Sequence, residues 1–289
     1  MFELILQFLF GAIRDGSIYA LIGLGLAVVH RTTEVMFFAQ GALAMVSGVT
    51  THALCTHMNA SPLLALPAGL MVSVVAALVS QRLIVLPLIN RGATRLSISI
   101  VTIGAAFLCE MIAILAFGKD PLSVPPFSGD KPIHISGASF LPQDIWIVGT
   151  LLLFSILLVL FFKKTWTGKA MTGIGENPLL ARALGFPMQR LFTYSFVLSA
   201  LSAGAAGAIY APVAYTGYFV AIPLTVKGFV AAAIGGVNNP LGAVIGGMII
   251  GIFESFTAGF VSSGMKDLIT IILLLVVLYW RPEGLMGER

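Results

Sequence analysis

Nine apolar segments alternate with shorter polar intervals along the chain, at about Leu4 to Val29, Val35 to Thr56, Pro62 to Val79, Leu96 to Phe117, Ile145 to Phe162, Leu191 to Val213, Phe219 to Val237, Pro240 to Phe260 and Leu268 to Tyr279. Runs of about twenty continuous apolar residues are what a membrane-crossing helix needs. A membrane β-barrel would show short segments of alternating character instead. The pattern predicts an all-α polytopic membrane protein of eight or nine transmembrane helices, in a single domain over residues 1–289. Two places leave the number open. Arg14-Asp15-Gly16 interrupts the first run and suggests a short lead-in segment before a true span from near Ser17. Val237-Asn238-Asn239-Pro240 either turns the chain outside the membrane or breaks it within the protein interior.

One polar interval carries its own helix signals. In Gly175 to Arg190, "GENPLLARALGFPMQR", Asn177 is a good N-cap, Pro178 suits the first helical position and Gly185 sits where a left-handed C-terminal cap belongs. The bracketed helix, Pro178 to Leu184, is roughly two turns and about 10 Å long. A helix that short is unstable alone in water and gains order by packing on something else.

Composition agrees with the pattern: 58% hydrophobic and 10% charged residues, 31 glycines and 20 phenylalanines, with a mean hydropathy of +1.01. The N-terminus lacks the basic region of a cleavable signal, so no processing is expected. Charge sets the orientation. Arg82, Arg91 and Arg95 follow the third run, and Lys163, Lys164, Lys169, Arg182 and Arg190 gather between about 163 and 190 against the single acid Glu176. Those loops are expected to be cytoplasmic. The interval of about 118–144, rich in proline and nearly balanced in charge, is expected outside. The tail "WRPEGLMGER" reads as cytoplasmic if both segments flanking Asn238 cross.

Candidate chemistry is sparse. "TWTGKAMTG" has no glycine five residues before its Gly-Lys pair and no hydroxyl after the lysine, so it is no phosphate-binding loop. No nucleophile, base and orienting acid stand in a recognisable arrangement, and no catalytic residue is assigned. Cys55 and Cys109 lie far apart in apolar runs, and the His52, Cys55, His57 spacing does not suit a tetrahedral centre; no metal is expected. Glu110, Lys227 and Glu254 fall inside apolar runs, where ionisable groups mark either ion coupling or polar groups satisfied between helices. So few of them favour the second reading, which puts any energy source on another polypeptide. Small residues recur every four positions, at Ser199, Ala203, Gly207 and Ala211 and at Gly247, Gly251, Ser255 and Gly259, with Gly242 and Gly246 adding a further pair. Such stripes permit close helix approach, within one chain or between copies.

Sequence physics leaves two roles for the short capped helix: a docking element for a soluble motor, or an interfacial helix resting Leu179, Leu180 and Leu184 on lipid headgroups. A resemblance separates them. "GENPLLARALGF", "LFTYSFVLSALSAGAAGAIYAP", "KGFVAAAIGGVNNPLGAVIGG" and "GMKDLITIILLLVVLYWRPEGLMG", with "GSIYALIGLGLAVVHRTTEVMFFAQGALAM" nearer the start, resemble the permease subunits of branched-chain amino acid ABC importers of the LivH or BraD type. The resemblance covers nearly the whole chain apart from about Pro121 to Pro142. It implies a bacterial inner-membrane subunit with no cofactor of its own, ATP and Mg being held by two cytoplasmic ATPase partners. A homologous LivM-like permease and an extracytoplasmic solute-binding protein complete the implied assembly, and no nucleic acid takes part. It also implies a coupling role for Glu176, Asn177, Pro178, Ala181, Arg182 and Gly185.

The chain departs from the family at "FFAQG", Phe37 to Gly41, where "NFAHG" is common, and at Asn238-Asn239, where a Gly-Ser pair is usual. Relatives are also assigned to urea, short amides and aromatic acids, so the solute is left open. Gln40, Asn238 and Asn239, polar and glycine-flanked in apolar sequence, are the candidates for groups facing a pathway, with Gly41, Gly235 and Gly236 permitting local breaks. The alternative is an ion-coupled secondary transporter or channel for a small polar solute that uses Glu110 and Glu254.

Overall fold

Inside a bilayer the backbone has only itself to bond with, so each long apolar run winds into a helix. The computed structural model describes residues 2–135 and 137–287, with the side chains of Phe2, Ile135 and Arg182 outside the described set. The helices are α1 (Phe2–Thr33), α2 (Gln40–His57), α3 (Pro62–Ser80), α4 (Leu86–Asn90), α5 (Arg95–Phe117), α6 (Pro142–Lys164), α7 (Trp166–Glu176), α8 (Pro178–Ala183), α9 (Met188–Ala214), α10 (Ala221–Gly235), α11 (Pro240–Phe260) and α12 (Lys266–Trp280). Before α6, β1 (Ile133–Ile135) and β2 (Ala138–Phe140) form an antiparallel hairpin with Ile133 opposite Phe140. The protein is an all-α polytopic membrane protein.

Eight of these helical stretches are long and apolar enough to cross a membrane, with α3 and α4 counted as one. Helix α2 is not among them. Residues 34–39 are not helical, and Gln40, at the start of α2, bonds to Ser199 in the interior of α9, whereas His52 near the other end of α2 reaches the carbonyl of Ser123. The expected span from Val35 is therefore corrected: a non-helical stretch at 34–39 leads from the end of α1 into α2, which starts only at Gln40. Two further expectations change. Helix α1 runs unbroken through Arg14-Asp15-Gly16, because Arg14 Nε donates to Asp15 Oδ1 at 2.9 Å and the pair lines a polar cavity. The third run continues past Val79 through a π turn at Gln81–Val85 into α4, so Arg82 is helical rather than in a loop. Pro87 cannot donate the next helical bond, and the widened turn absorbs that loss.

Helix α1 is the centre of the bundle, buried almost continuously from Ser17 to Val29 and packed against α9, α10 and α11. The small-residue stripes are its seams. A Cβ at Gly247 would meet Ala20 at 2.5 Å, one at Gly251 would strike Ala12 and Gly16, and Ser255 Oγ donates to the Phe8 carbonyl at 2.6 Å. Gly207 is pressed in the same way on the backbone of Ala44 in α2. Both stripes pack within the chain. Helices α3, α5, α6 and α12 form the rim, with Leu64, Leu115, Leu152 and Leu275 among their exposed apolar side chains.

Candidate functional site

At the end of the bundle that carries Arg31 and Arg95, the chain between α6 and α9 folds back on itself. Thr165 caps α7 by accepting from Gly168 N at 3.0 Å. Met171 and Ile174, three apart on α7, are fully buried against Leu24 and Val28 of α1, Leu158 of α6 and Leu191 of α9. Asn177 Oδ1 then accepts from Leu180 N at 3.0 Å, as an N-cap does, and starts α8 at Pro178. Gly185 closes it with φ +78°, and Phe186 N donates to the Ala181 carbonyl at 3.1 Å, the long bond of a glycine-terminated helix end. The helix ends at Ala183, one residue before the expected Leu184.

Helix α8 has two faces. Ala181 is buried in the cluster beneath it, whereas Leu179, Leu180 and Leu184 are 80%, 56% and 67% exposed. The side chain of Arg182 lies outside the described residues. Gly175 brings α7 so close to the end of α1 that a Cβ there would collide with the Arg31 carbonyl. Helix α8 is thus seated on α7, and α7 on the end of α1.

A cleft of about 490 Å³ opens beside this contact, lined by Arg31, Glu34, Glu176, Asn238 and Asn239 among others. His30 Nδ1 lies 2.8 Å from Asn238 Oδ1 across it, and Arg95 forms an ion pair with Glu34, which ends α1 with φ +56°. Asn239 is the N-cap of α11, accepting from Leu241 N at 3.1 Å and Gly242 N at 3.3 Å, while its Nδ2 donates to the Met286 carbonyl. Gly235 lets α10 meet α11 at Gly242, and Gly236 (φ +107°) turns the chain toward the tail, whose Leu285 and Met286 N–H groups bond the carbonyls of Ile234 and Gly235. The structure thus brings Glu176 together with Asn238 and Asn239, and keeps Gln40 and Gly41 apart from them.

Gln40 and Gly41 sit at the break where the non-helical stretch at 34–39 meets α2. Gln40 is fully buried; its Nε2 donates to the Ser199 carbonyl at 2.9 Å and its Oε1 accepts from Ser199 Oγ at 2.8 Å. Gly41 N donates to Thr225 Oγ1 at 3.0 Å, and a Cβ at Gly41 would strike the Ala221 carbonyl. Below them, Ser99 Oγ accepts from Met36 N at 3.1 Å and Thr102 Oγ1 from Phe38 N at 3.0 Å. Irregular backbone at membrane depth requires such partners.

The family model for the branched-chain amino acid transport system permease component matches residues 8–278. The chain belongs to this family. The permease is 28% identical to the Escherichia coli K12 high-affinity branched-chain amino acid transport system permease protein LivH, over 98% of this chain and 96% of that one. It is 30% identical to a probable branched-chain amino acid transport permease protein LivH of Methanocaldococcus jannaschii, over 96% and 91% of the two chains. A shorter match, 33% identical over 131 residues and 44% of this chain, is to a nucleoside ABC transporter permease protein NupC of Lactococcus lactis.

Sequence reasoning missed several residues that hold the permease in this form. Ser99 and Thr102 carry the break, Arg95 and Glu34 tie α5 to the end of α1, and α7 supplies the seat for α8. The apolar stretch Val35 to Ala39 looks like any span, and its hydroxyl partners lie some sixty positions away. Helix α7 was masked by glycines at 168, 173 and 175, although Met171 and Ile174 fall at helical spacing.

Two of the three ionisable groups expected inside the apolar runs, Lys227 and Glu254, form a clamp. Glu254 Oε2 accepts from Tyr19 OH at 2.8 Å and Lys227 Nζ at 2.9 Å, and its Oε1 accepts from Thr270 Oγ1 at 2.6 Å. Lys227 Nζ also reaches Asp267 Oδ1 at 3.1 Å. The cluster joins α1, α10, α11 and α12. Glu110 stands apart, buried on α5.

Proposed function

We propose that this permease is the translocation subunit of an ATP-driven importer for branched-chain or other hydrophobic amino acids, or a related small solute. It works in the plasma membrane, the inner membrane of a bacterium, as one domain. The loop around 163–190 faces the cytoplasm and that around 118–144 the outside. A second, LivM-like permease completes the pathway, an extracytoplasmic binding protein delivers solute, and two cytoplasmic ATPases hold the ATP and Mg.

The observation that carries the reading is α8: a capped two-turn helix at the basic end, with exposed leucines above and a buried Ala181 below. An amphipathic helix presented this way fits a groove in a soluble partner. Its base packs on α7, which packs in turn on α1 and α9, so a partner that moves α8 as a rigid body shifts these helices through α7. Glu176, Asn177, Pro178, Ala181, Arg182 and Gly185 form this coupling element. Gly235, Gly236, Asn238 and Asn239 lie at the cytoplasmic mouth of the pathway, and Gln40 and Gly41 at its mid-depth break. The amide of Gln40 bonds Ser199 through both its nitrogen and its oxygen, so it holds the break in place.

The test replaces the exposed face and spares the buried one. Leu179→Asp and Leu180→Asp are expected to abolish co-purification with the ATPase subunits and solute-stimulated ATP hydrolysis in liposomes, with the thermal unfolding midpoint unchanged. Variants that stay folded, retain the ATPases and couple normally would remove α8 from the mechanism. Uptake that survives loss of the ATPases and collapses with the proton gradient would replace the importer reading with ion coupling.

A further inference from the structure

At the end of the bundle opposite α8, two cavities meet and share Phe10, Arg14, Phe140 and Asp144. One, of about 480 Å³, is polar and also takes in Asp15, Glu254 and Lys266. The other, of about 350 Å³, is an open groove between α1 and α6, walled by Ile13, Ile145, Val148 and Leu152. Asp144 lies in the first turn of α6, where that helix enters the membrane, so the two cavities join at headgroup level. From Ile145 to Leu152 the groove descends about 10 Å along the helix.

The polar groups at the joint are unevenly used. Asp144 Oδ2 accepts from Leu141 N at 3.0 Å and caps α6, whereas Oδ1 is shielded from solvent and has no partner among the described residues. A buried carboxylate oxygen left unpaired is costly, and a cationic donor satisfies it best. Arg14 spends its Nε on Asp15, and its two remaining nitrogens form no further bond among the described residues. The site therefore offers a cation and an anion side by side, above an apolar slot open toward the bilayer.

We propose that this joint binds one phospholipid with a zwitterionic, primary-amine headgroup. An acyl chain lies in the α1/α6 groove, the phosphate faces Arg14 and Lys266, and the ammonium faces Asp144 Oδ1. A purely anionic lipid brings no donor to Asp144 Oδ1, the one carboxylate oxygen at the joint that lacks a partner among the described residues. A lipid held here braces α6 against α1, the helix on which α7 packs at the other end.

The experiment reconstitutes the full chain into vesicles of equimolar phosphatidylethanolamine and phosphatidylglycerol, extracts it in mild detergent and identifies retained lipid by native mass spectrometry. The protein is expected to retain the ethanolamine lipid in preference. A Cβ at Gly149 meets nothing within 4 Å, so Gly149→Leu fills the groove without touching the bundle. It is expected to lower retained lipid about tenfold, equivalent to 1.4 kcal/mol of binding. Val148→Phe narrows the same groove and serves if the first variant misfolds. Asp144→Asn is expected to keep lipid but lose the preference. Equal retention of both lipids by the unaltered protein overturns the proposal, as does unchanged retention with the groove filled. Efficient cross-linking of Leu152→Cys between two copies also overturns it, because a second chain then covers the groove.

Discussion

Lys227 Nζ lies 2.9 Å from Glu254 Oε2, and the side chains are only 10% and 5% exposed. With Tyr19 and Thr270 completing the carboxylate's bonds, the pair works as a clamp across four helices. Lys227→Met leaves the buried Glu254 without its cation and is expected to cost about 3–5 kcal/mol, whereas Glu254→Gln leaves Lys227 its ion pair with Asp267 and is expected to cost less. The double variant, with no buried charge left alone, is expected to recover much of that. Thermal unfolding in detergent measures both. If Glu254→Gln left the midpoint unchanged and released uptake from a dependence on the proton gradient, the pair would belong to an ion-coupling mechanism.

Gln40→Leu separates two roles for the break at the start of α2. The substitution leaves Ser199 Oγ without its acceptor in a fully buried place, at an expected cost of about 1–3 kcal/mol. Because the amide is committed to α9, solute selectivity should stay the same while stability and maximal uptake fall. An altered order of preference among solutes, with an unchanged unfolding midpoint, is the result that would instead put Gln40 against the solute.

How far the sequence carries depends on whether the deciding partners are local. Helix α11 spans Pro240–Phe260, the expected bounds, because Asn239, Pro240 and the glycine spacing all act within a few residues. The capped α8 was legible for the same reason. The break at 34–39 was not, since Val35 to Ala39 is apolar and its hydrogen-bond partners come from α5. Asn238 and Asn239 illustrate the intermediate case: a cap and a pathway group look alike in sequence, and only the bonds to Leu241, Gly242 and His30 show what each amide does in this state.

Those bonds make Asn239 a double link. Asn239→Ala removes the cap of α11 and the bond to the Met286 carbonyl, at an expected cost of about 1 kcal/mol for the cap. Asn239→Asp keeps an acceptor for Leu241 N and loses the donor to the tail. Labelling of a cysteine placed at Leu285 is therefore expected to speed up in both variants, whereas stability falls mainly in the alanine one. Equal labelling rates in all three proteins would show that the tail is held by Ile234 and Gly235 alone.

The glycines divide by what surrounds them, and the division predicts opposite outcomes for one substitution. Gly251 faces Ala12 and Gly16 on α1, where backbone lies in the way of any side chain. Gly251→Leu must push α11 away from the central helix, an overpacking that costs about 1–3 kcal/mol or more. Poor recovery of folded protein is expected. Gly104 on α5 has nothing within 4 Å of a built Cβ, so Gly104→Leu should leave the unfolding midpoint of the isolated chain unchanged. Size-exclusion and unfolding of both variants decide it. If Gly251→Leu folds as well as the unaltered chain, the α1/α11 seam is looser than its contacts imply. If Gly104→Leu spares the isolated chain but blocks pairing with a second permease, that face of α5 belongs to the subunit interface rather than to lipid.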